Sequence, residues 1–528
     1  NGGPGQPQGL SLRGAGAAQT LVLVDGLRVG SATVGTTSIE NIPLELVERI
    51  EVVRGPLSSL YGSGALGGVV QVFTRGKAVP HLFASAAYGS ERDRRAAAGI
   101  TTVDGGTAMV LSLGARKVDA PSATTARAPF CHDADRDPYE NVFANLRLSQ
   151  RLWQGEDLAL EAFASRGRAA FDGCGADDRN DQTLAGARLT SSASFTRDWK
   201  SRLAIGQGRD RLEIRGAFPN RFETRQDQAS WINDFAVPGG SLVAGAEMLR
   251  QRVLTDPQRP AFSVTERDTY SGFAGLTQEW AGHRLEASWR HDDDDAFGER
   301  RTGSFAYGIE WPGIGRISAT VARGFRAPTF FDLYGPESGF YQPNPLLRPE
   351  RNRSRELSLR SAAGSRPDWK LTVFDNEIDD LIAFVAPTVA NVDRARIRGM
   401  EAAARGQAWG VRWSAALTVQ RPRDEATGRR LQGRAERFGS VRAERDFGPW
   451  TAGLSVHASG ERFDAPGEDP GSRLAGYAVV DARLRRAIGR HWSIEISATN
   501  LADRRYETSL GYEGARRGIL VGVRFEAF

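Results

Sequence analysis

From about residue 80 onwards, apolar and polar residues alternate along the chain in segments of about ten residues. The segment 492–499, WSIEISAT, is typical, with apolar residues at the even positions and polar residues at the odd positions. Successive residues of a β-strand point to opposite faces, so this period predicts strands with one apolar and one polar face. Helical periodicity is nearly absent from these segments.

The connections between the segments differ in length in a regular way. Short turns such as Asp104-Gly105-Gly106 and Pro238-Gly239-Gly240 alternate with polar loops of roughly ten to twenty-five residues, as in outer-membrane barrels. Counting from His81 gives about 22 strands, the size of barrel that encloses a plugged lumen. The polar face must look inward, because an arginine facing lipid near the midplane costs about 2–4 kcal/mol.

Composition does not decide between a soluble protein and a membrane barrel. The chain has 528 residues, of which 25% are charged, and its mean hydropathy is −0.40. No run approaches the roughly 18 apolar residues that a membrane helix requires, but barrel strands show apolar residues only at alternate positions. The net charge of +5 comes from scattered basic residues, so no nucleic-acid partner is expected.

Residues 1–76 lack the alternation and predict a small mixed α+β unit ahead of the barrel, which spans 81–528. The unit contains the segment Thr20–Gly26, and strands are predicted at Ile50–Val53 and at Val69–Thr74. Pro43 can open a short helix, because the first helical residue needs no N–H donor. Gly55-Pro56 should end the strand before it.

The glycine-rich segment Gly62–Gly67, GSGALG, fits the dinucleotide-binding pattern G-x-G-x-x-G. That pattern binds nucleotide only when it follows a strand and opens a helix, whereas here a β-branched and aromatic run follows. These glycines instead indicate tight turns and close backbone approach.

Several motifs together resemble the plug and barrel signatures of TonB-dependent outer-membrane receptors. They are LVLVDGLRV at 21–29, IPLELVERIEVVRGP at 42–56, LYGSGALGGVVQV at 60–72 and ARGFRAPTFFDLYG at 322–335. The resemblance extends from residue 9 to the end of the chain. It implies an all-β transmembrane barrel of about 22 antiparallel strands with an N-terminal α+β plug in its lumen, located in the outer membrane of a Gram-negative bacterium.

Within that family the motifs are most similar to those of cobalamin receptors. FRAP at 325–328, NPLLRPE at 344–350, NEIDDLI at 376–382 and NLADRRYET at 500–508 carry this resemblance. It implies high-affinity uptake of cobalamin or a related corrinoid, bound by the extracellular loops and the plug apex. A ferric-siderophore receptor is the alternative. Haem is disfavoured, because no histidine lies between Arg326 and Pro343.

The same resemblance suggests an ionic latch between plug and barrel. Its members would be Arg13 and Arg54 on the plug and Glu356 and Glu401 on the wall. A guanidinium buried at that interface must pair with a carboxylate, which it binds well. The alternative is an ordinary set of exposed charges.

Two acidic segments are predicted to lie in adjacent extracellular loops, at about 118–140 and 167–182. Cobalamin receptors order such loops with calcium, and Ca²⁺ prefers several carboxylate oxygens. The candidate ligands are Asp133, Asp135, Asp137, Asp172, Asp177, Asp178 and Asp181. A solvated acidic loop without metal is the alternative.

The two cysteines, Cys131 and Cys174, fall one in each of these loops. They lack the spacing of a zinc site. If the loops are adjacent and extracellular, the oxidising environment favours a disulfide between them. Such a bond could replace calcium in ordering the loops.

No arrangement of residues indicates an enzyme or a catalytic cofactor. A passive porin is disfavoured by the plug-like first 76 residues. The resemblance implies a monomer embedded in outer-membrane lipid and coupled to the inner-membrane TonB complex. In the family the TonB-binding segment lies ahead of the plug, and this chain begins at Asn1 within the plug. This chain is therefore expected to bind ligand without binding TonB at full strength, which a pull-down would measure.

Overall fold

The computed structural model describes residues 2–76, 79–153, 155–175, 177–255, 262–338, 341–385 and 387–527. The terminal residues Asn1 and Phe528, included in the two predicted domains, lie outside these ranges. No helix in these ranges is long and apolar enough to cross a membrane.

The N-terminal part contains a small sheet in the order β2-β1-β4-β3. Strands β1 and β4 are parallel, and the other neighbours are antiparallel. The elements are β1 (Thr20–Val24), β2 (Leu27–Arg28), β3 (Val47–Arg54), a four-residue helix α1 (Ser58–Tyr61) and β4 (Gly68–Thr74). The predicted strands are thus present, and Gly55 follows the last residue of β3. The helix expected at Pro43 is only a single 3-10 turn, Leu44–Leu46.

In the described part of the chain, 22 antiparallel strands close a barrel around this sheet, as the alternation predicts. Its first nine strands are β5 (His81–Gly89), β6 (Arg94–Asp104), β7 (Thr107–Pro121), β8 (Arg136–Trp153), β9 (Glu156–Ala170), β10 (Arg179–Ser194), β11 (Trp199–Arg215), β12 (Asn220–Val237) and β13 (Gly240–Thr255). The next are β14 (Glu266–Trp280), β15 (His283–Asp294), β16 (Gly298–Trp311), β17 (Gly315–Arg326), β18 (Glu350–Ser361), β19 (Asp368–Val385), β20 (Thr388–Ala408), β21 (Val411–Asp424), β22 (Arg437–Phe447) and β23 (Trp450–Ser459).

The remaining strands are interrupted by two small hairpins in the loops. Helix α2 (Phe330–Tyr334) lies in the loop between β17 and β18. The elements that follow β23 are β24 (Arg462–Phe463), β25 (Arg473–Leu474), β26 (Tyr477–Ile488), β27 (Trp492–Thr499), β28 (Glu507–Ser509), β29 (Tyr512–Glu513) and β30 (Gly518–Ala527). Strands β26, β27 and β30 belong to the barrel, and β30 pairs with β5 to close it. Closure leaves no strand edge exposed to lipid.

The plug packs against the wall on several sides. Its core residue Val24 joins a cluster with Leu184 of β10, and Leu66 joins one with Phe374 and Ile397. On another side Leu46 packs against Phe83 and Phe143 of the wall. The plug therefore lies inside the lumen, and its apolar core is continuous with that of the wall.

Several strands extend further outward than the sequence predicts. The loops expected at 118–140 and 167–182 are shorter, because β7 ends at Pro121, β8 begins at Arg136, β9 ends at Ala170 and β10 begins at Arg179. The acidic run Asp292–Asp295 also lies largely within a strand, since β15 ends at Asp294. Strand ends that project above the lipid have no apolar face, so alternation does not mark them.

Candidate functional site

Arg13 lies at the centre of the contact between the plug and the wall. Its side chain is 3% exposed and pairs with Glu356 of β18 through Nη1 and with Glu401 of β20 through Nε, the latter at 3.1 Å. The guanidinium also lies over the ring of Phe374, 5.0 Å from its centroid. Each partner satisfies part of a charge that burial would otherwise destabilise by several kcal/mol.

The other plug arginine of the predicted latch is more peripheral. Arg54 approaches Glu401 at 3.7 Å and its side chain is 49% exposed. The next residue, Gly55, has φ of +93°, and a side chain there would meet Glu356 Oε1 at 2.5 Å. The structure thus brings all four predicted residues together, with Arg13 as the buried one.

A second buried link between plug and wall was missed by the sequence analysis. Arg326 donates two hydrogen bonds to Glu350, at 2.8 and 3.0 Å, and Gln19 of the plug donates a third at 2.8 Å. The carboxylate also accepts from the backbone N–H of Ile382 at 2.9 Å. Arg326 and Glu350 belong to the FRAP and NPLLRPE motifs, so the signal was present, but their pairing was not recognised.

The outward end of the plug is built from residues 30–37, which reach the wall near the long loops. The Ala32 N–H donates to Thr224 Oγ1 of β12 at 3.1 Å, and Gln226 donates to the Gly30 carbonyl at 2.6 Å. Beside this apex, Gln8 N–H donates to Glu40 at 3.3 Å, and burial raises the pKa of Glu40 to about 7. Polar backbone and small side chains at an accessible apex suit recognition of a polar ligand.

A cavity of about 690 Å³ lies between the plug and strands β10–β17. Leu21, Leu57 and Tyr61 line it on the plug side, and Glu286 and Arg290 line it on the wall. Arg290 is fully paired there, with Glu247 and with Asp292, each at 2.7 Å. The plug is therefore held closely to β18–β20 but leaves open space on another side of the lumen.

Three of the seven predicted calcium ligands converge in the structure. Asp135, Asp137 and Asp172 each place a carboxylate oxygen within 4.8 Å of the others. The side chain of Asp172 is fully buried, and its Oδ2 accepts hydrogen bonds from Ser122 and Thr124, whereas its Oδ1 has no partner in the described residues. Burial, with the nearby carboxylates of Asp133 and Asp172, raises the pKa of Asp135. A hard cation is the group that these oxygens fit.

The other four predicted ligands do not join this group. Asp178 accepts from the backbone N–H groups of Gly175 and Ala217, each at 2.7 Å, and so shapes its own loop. Asp181 lies on β10 and pairs with arginines of neighbouring strands. Asp133 and Asp177 are exposed at the entrance to the cluster.

The two cysteines form a disulfide, Cys131–Cys174, with Cα atoms 5.2 Å apart. It joins residues that are 43 positions apart in the sequence and connects the loop that carries Asp135 to the loop that carries Asp172. The bond and the acidic cluster thus restrain the same two loops.

The two family descriptions that match the chain agree with this architecture. "TonB dependent receptor-like, beta-barrel" matches residues 85–501, and "TonB-dependent Receptor Plug Domain" matches residues 1–69.

Individual relatives match over almost the whole chain. The vitamin B12 transporter BtuB of Photobacterium profundum is 27% identical over 542 residues, covering 98% of this chain and 86% of the relative. The vitamin B12 transporter BtuB of Vibrio cholerae is 28% identical over 544 residues, covering 100% and 87%. Among solved structures, the ferric enterobactin receptor PfeA of Pseudomonas aeruginosa has a TM-score of 0.84 at 20% identity, covering 98% of this chain and 93% of that chain.

Proposed function

We propose that this chain takes up cobalamin or a related corrinoid. The proposal starts from its family, since the chain belongs to the TonB-dependent receptors of the Gram-negative outer membrane. The observation that carries the proposal is its similarity to curated vitamin B12 transporters over nearly its full length. These relatives are transporters rather than enzymes. Import therefore requires ligand binding and a movement of the plug, and it involves no covalent reaction.

The ligand binds at the outer end of the lumen, between residues 30–37 of the plug and the extracellular loops. The plug separates this binding region from the periplasm, and its buried Arg13 is paired with Glu356 and Glu401 of the wall. TonB-dependent receptors draw on the inner-membrane TonB complex for the force that moves the plug. The cavity beside strands β10–β17 gives the plug space toward which it can shift without compressing the wall.

Calorimetric titration of the detergent-solubilised protein with cyanocobalamin tests this function. We expect a dissociation constant below about 1 µM, equivalent to about −8 kcal/mol. Parallel titrations with dicyanocobinamide and with ferric enterobactin distinguish the ligand classes. Binding of the ferric siderophore without either corrinoid would replace this proposal with the ferric-siderophore alternative.

We further infer that Asp135, Asp137 and Asp172 hold Ca²⁺ when ligand binds. The buried, unpartnered Oδ1 of Asp172 supports this, because an ionised oxygen left without a partner is costly. A bound cation would hold the loop after β7 to the loop after β9, since Asp172 already accepts from Ser122 and the Asp137 carboxylate accepts from the Ala123 N–H at 2.6 Å. The disulfide Cys131–Cys174 keeps the two halves of the site close before the cation arrives.

Replacing Asp172 with Asn is expected to weaken Ca²⁺ binding at least about tenfold, because it removes a charged ligand from a site of few ligands. Calcium titration by calorimetry measures this, with Asp177→Asn in the same loop as the matched control. The double variant Cys131→Ser/Cys174→Ser should bind Ca²⁺ more weakly but not lose it. Absence of any Ca²⁺ heat in the wild-type protein would favour a solvated acidic loop.

A further inference from the structure

The outer surface of strands β17–β21 changes abruptly from apolar to basic. On each strand the outward-facing residues nearest the periplasmic turn are apolar. Moving from the periplasmic end toward the outside, the outermost of these apolar residues are Val321, Leu357, Val373, Met400 and Val419. The next outward-facing residue on each strand is charged: Arg323, Arg355, Asp375, Arg398 and Arg421. On β20 and β21 the apolar stretch contains about five outward positions, which matches the lipid-facing band of about 25 Å.

We call Arg323, Arg353, Arg355, Arg396, Arg398, Arg421 and Arg423 the arginine band. They occupy the first two outward-facing rows above the apolar stretch, where the protein's own carboxylates are Asp375 and Glu377. Inward-facing neighbours confirm the orientation, since Asn352 and Glu356 on the same strand contact the plug. The band therefore lies at the level of the outer-leaflet headgroups.

Arginines of the band face one another directly across neighbouring strands. The register pairs Arg323 with Arg353, Arg398 with Arg421 and Arg396 with Arg423. Like charges directly opposite each other in a sheet are destabilising, and an anion bound between them would remove that penalty.

The carboxylates of the protein do not neutralise the whole band. Asp375 lies opposite Arg355 in register but contacts Arg396 at 2.7 Å and Arg398 at 3.4 Å. Within the described ranges, no carboxylate lies within 4.0 Å of Arg323, Arg355 or Arg421. Three exposed guanidinium groups are thus left at a level where the membrane supplies phosphate.

Another part of the wall shows the same arrangement with its own counter-charge. Arg209 of β11 lies opposite Arg225 of β12, and both contact Glu223, whose side chain is fully buried beneath them. Nearby Arg250 is held by two oxygens of Asp268. The protein therefore neutralises the facing arginines Arg209 and Arg225 internally. In the arginine band, by contrast, only part of each facing set has a carboxylate partner: Arg353 contacts Asp379 and Arg423 contacts Glu436, but Arg323, Arg355 and Arg421 have no carboxylate within 4.0 Å in the described residues.

We propose that the arginine band binds the phosphate groups of a phosphorylated glycolipid in the outer leaflet. Guanidinium groups bind phosphate bidentately, and pairs of them from adjacent strands can share one phosphate. The groups Arg323/Arg355 and Arg398/Arg421 lie two to three strands apart, about 10–14 Å, so a headgroup with two phosphates can engage both. The acyl chains then lie along the apolar residues below.

Native mass spectrometry of the purified protein with bisphosphorylated lipid A in detergent tests this proposal. The variant R323Q/R355Q/R421Q is expected to retain at least about fivefold less lipid A than the wild type, because it removes the uncompensated charges. The matched control R209Q/R225Q/R250Q removes three outward-facing arginines that have carboxylate partners, and should stay within about twofold. Heat-modifiable gel mobility confirms that each barrel is folded.

Two further measurements test whether bidentate contacts and a headgroup with two phosphates are required. The variant R323K/R355K/R421K keeps the charge but not the bidentate geometry, and intermediate retention is expected. Phosphatidylglycerol, a singly charged lipid, should bind the wild type more weakly than lipid A. Equal lipid A retention by R323Q/R355Q/R421Q and wild type, or equal retention of phosphatidylglycerol and lipid A, would overturn the proposal.

Discussion

Replacing Arg13 with Ala is expected to loosen the plug by about 3–5 kcal/mol, because two largely buried carboxylates lose their shared counter-charge. Glu356 and Glu401 are only 14% and 11% exposed at their side chains. Arg54 cannot take over the role, since it lies 3.7 Å from Glu401 and is half exposed. Faster hydrogen exchange of plug amides, with barrel amides unchanged, is the measurement that checks this.

Arg49→Ala is the matched control for this change. Arg49 also lies on the plug and pairs with a carboxylate, Glu51, but both side chains are more than half exposed. Such a pair contributes about 0–1 kcal/mol. The variant Arg13→Met/Glu356→Gln/Glu401→Gln should recover much of the protection, because replacing a buried ionic group as a whole is often neutral. Equal exchange in the Arg13 and Arg49 variants would show that the buried contact does not hold the plug.

A loosened plug should also leak. In planar bilayers, Arg13→Ala is expected to show more frequent open-channel events than wild type, whereas Arg49→Ala should resemble wild type. The change removes the buried ion pairs on the side of β18–β20, and the cavity beside β10–β17 leaves room for the plug to move. The buried ion pairs therefore indicate that the plug is attached most strongly on the side of β18–β20 and can move toward β10–β17.

The barrel could be predicted from sequence because lipid imposes a strict rule on it. Each strand must present apolar residues outward, so alternation such as that in 492–499 repeats wherever the chain crosses the membrane. Above the lipid the rule no longer applies. Strand β18 continues there with Arg351, Arg353 and Arg355 facing outward, and no periodicity of apolar residues marks it as a strand.

The candidate sites were predictable in their residue types but only partly in their pairings. Arg13 and Glu401 were matched through family motifs, although 388 residues separate them. The acidic group was predicted too broadly, because spacing along a loop does not say which carboxylates turn toward one another. Asp178 has the right residue type, but it accepts two backbone N–H groups of its own surroundings instead. Which partner a side chain meets is decided by tertiary packing that one-dimensional spacing does not contain.

Replacing Glu350 with Ala is expected to cost about 3–5 kcal/mol, because it leaves the buried guanidinium of Arg326 without its carboxylate. Gln19 of the plug and the Ile382 N–H lose an acceptor as well. Arg326 lies three residues before Thr329, which caps helix α2. Thr329 in turn packs closely against the plug apex, because a Cβ added at Gly35 would lie 2.7 Å from its side chain. The change should therefore reach the ligand-binding end of the plug.

Thermal unfolding and cyanocobalamin titration together check this expectation. Glu350→Ala should lower the melting temperature and weaken cyanocobalamin binding at least about tenfold, which corresponds to about 1.4 kcal/mol. Arg348→Ala is the matched control, since Arg348 is 72% exposed and its partner Asp380 keeps a second contact with Arg351. Arg13→Ala should weaken plug retention with little change in binding, because it lies away from the apex. A Glu350→Ala protein that melts and binds like the Arg348 control would contradict a role for this carboxylate in holding the apex.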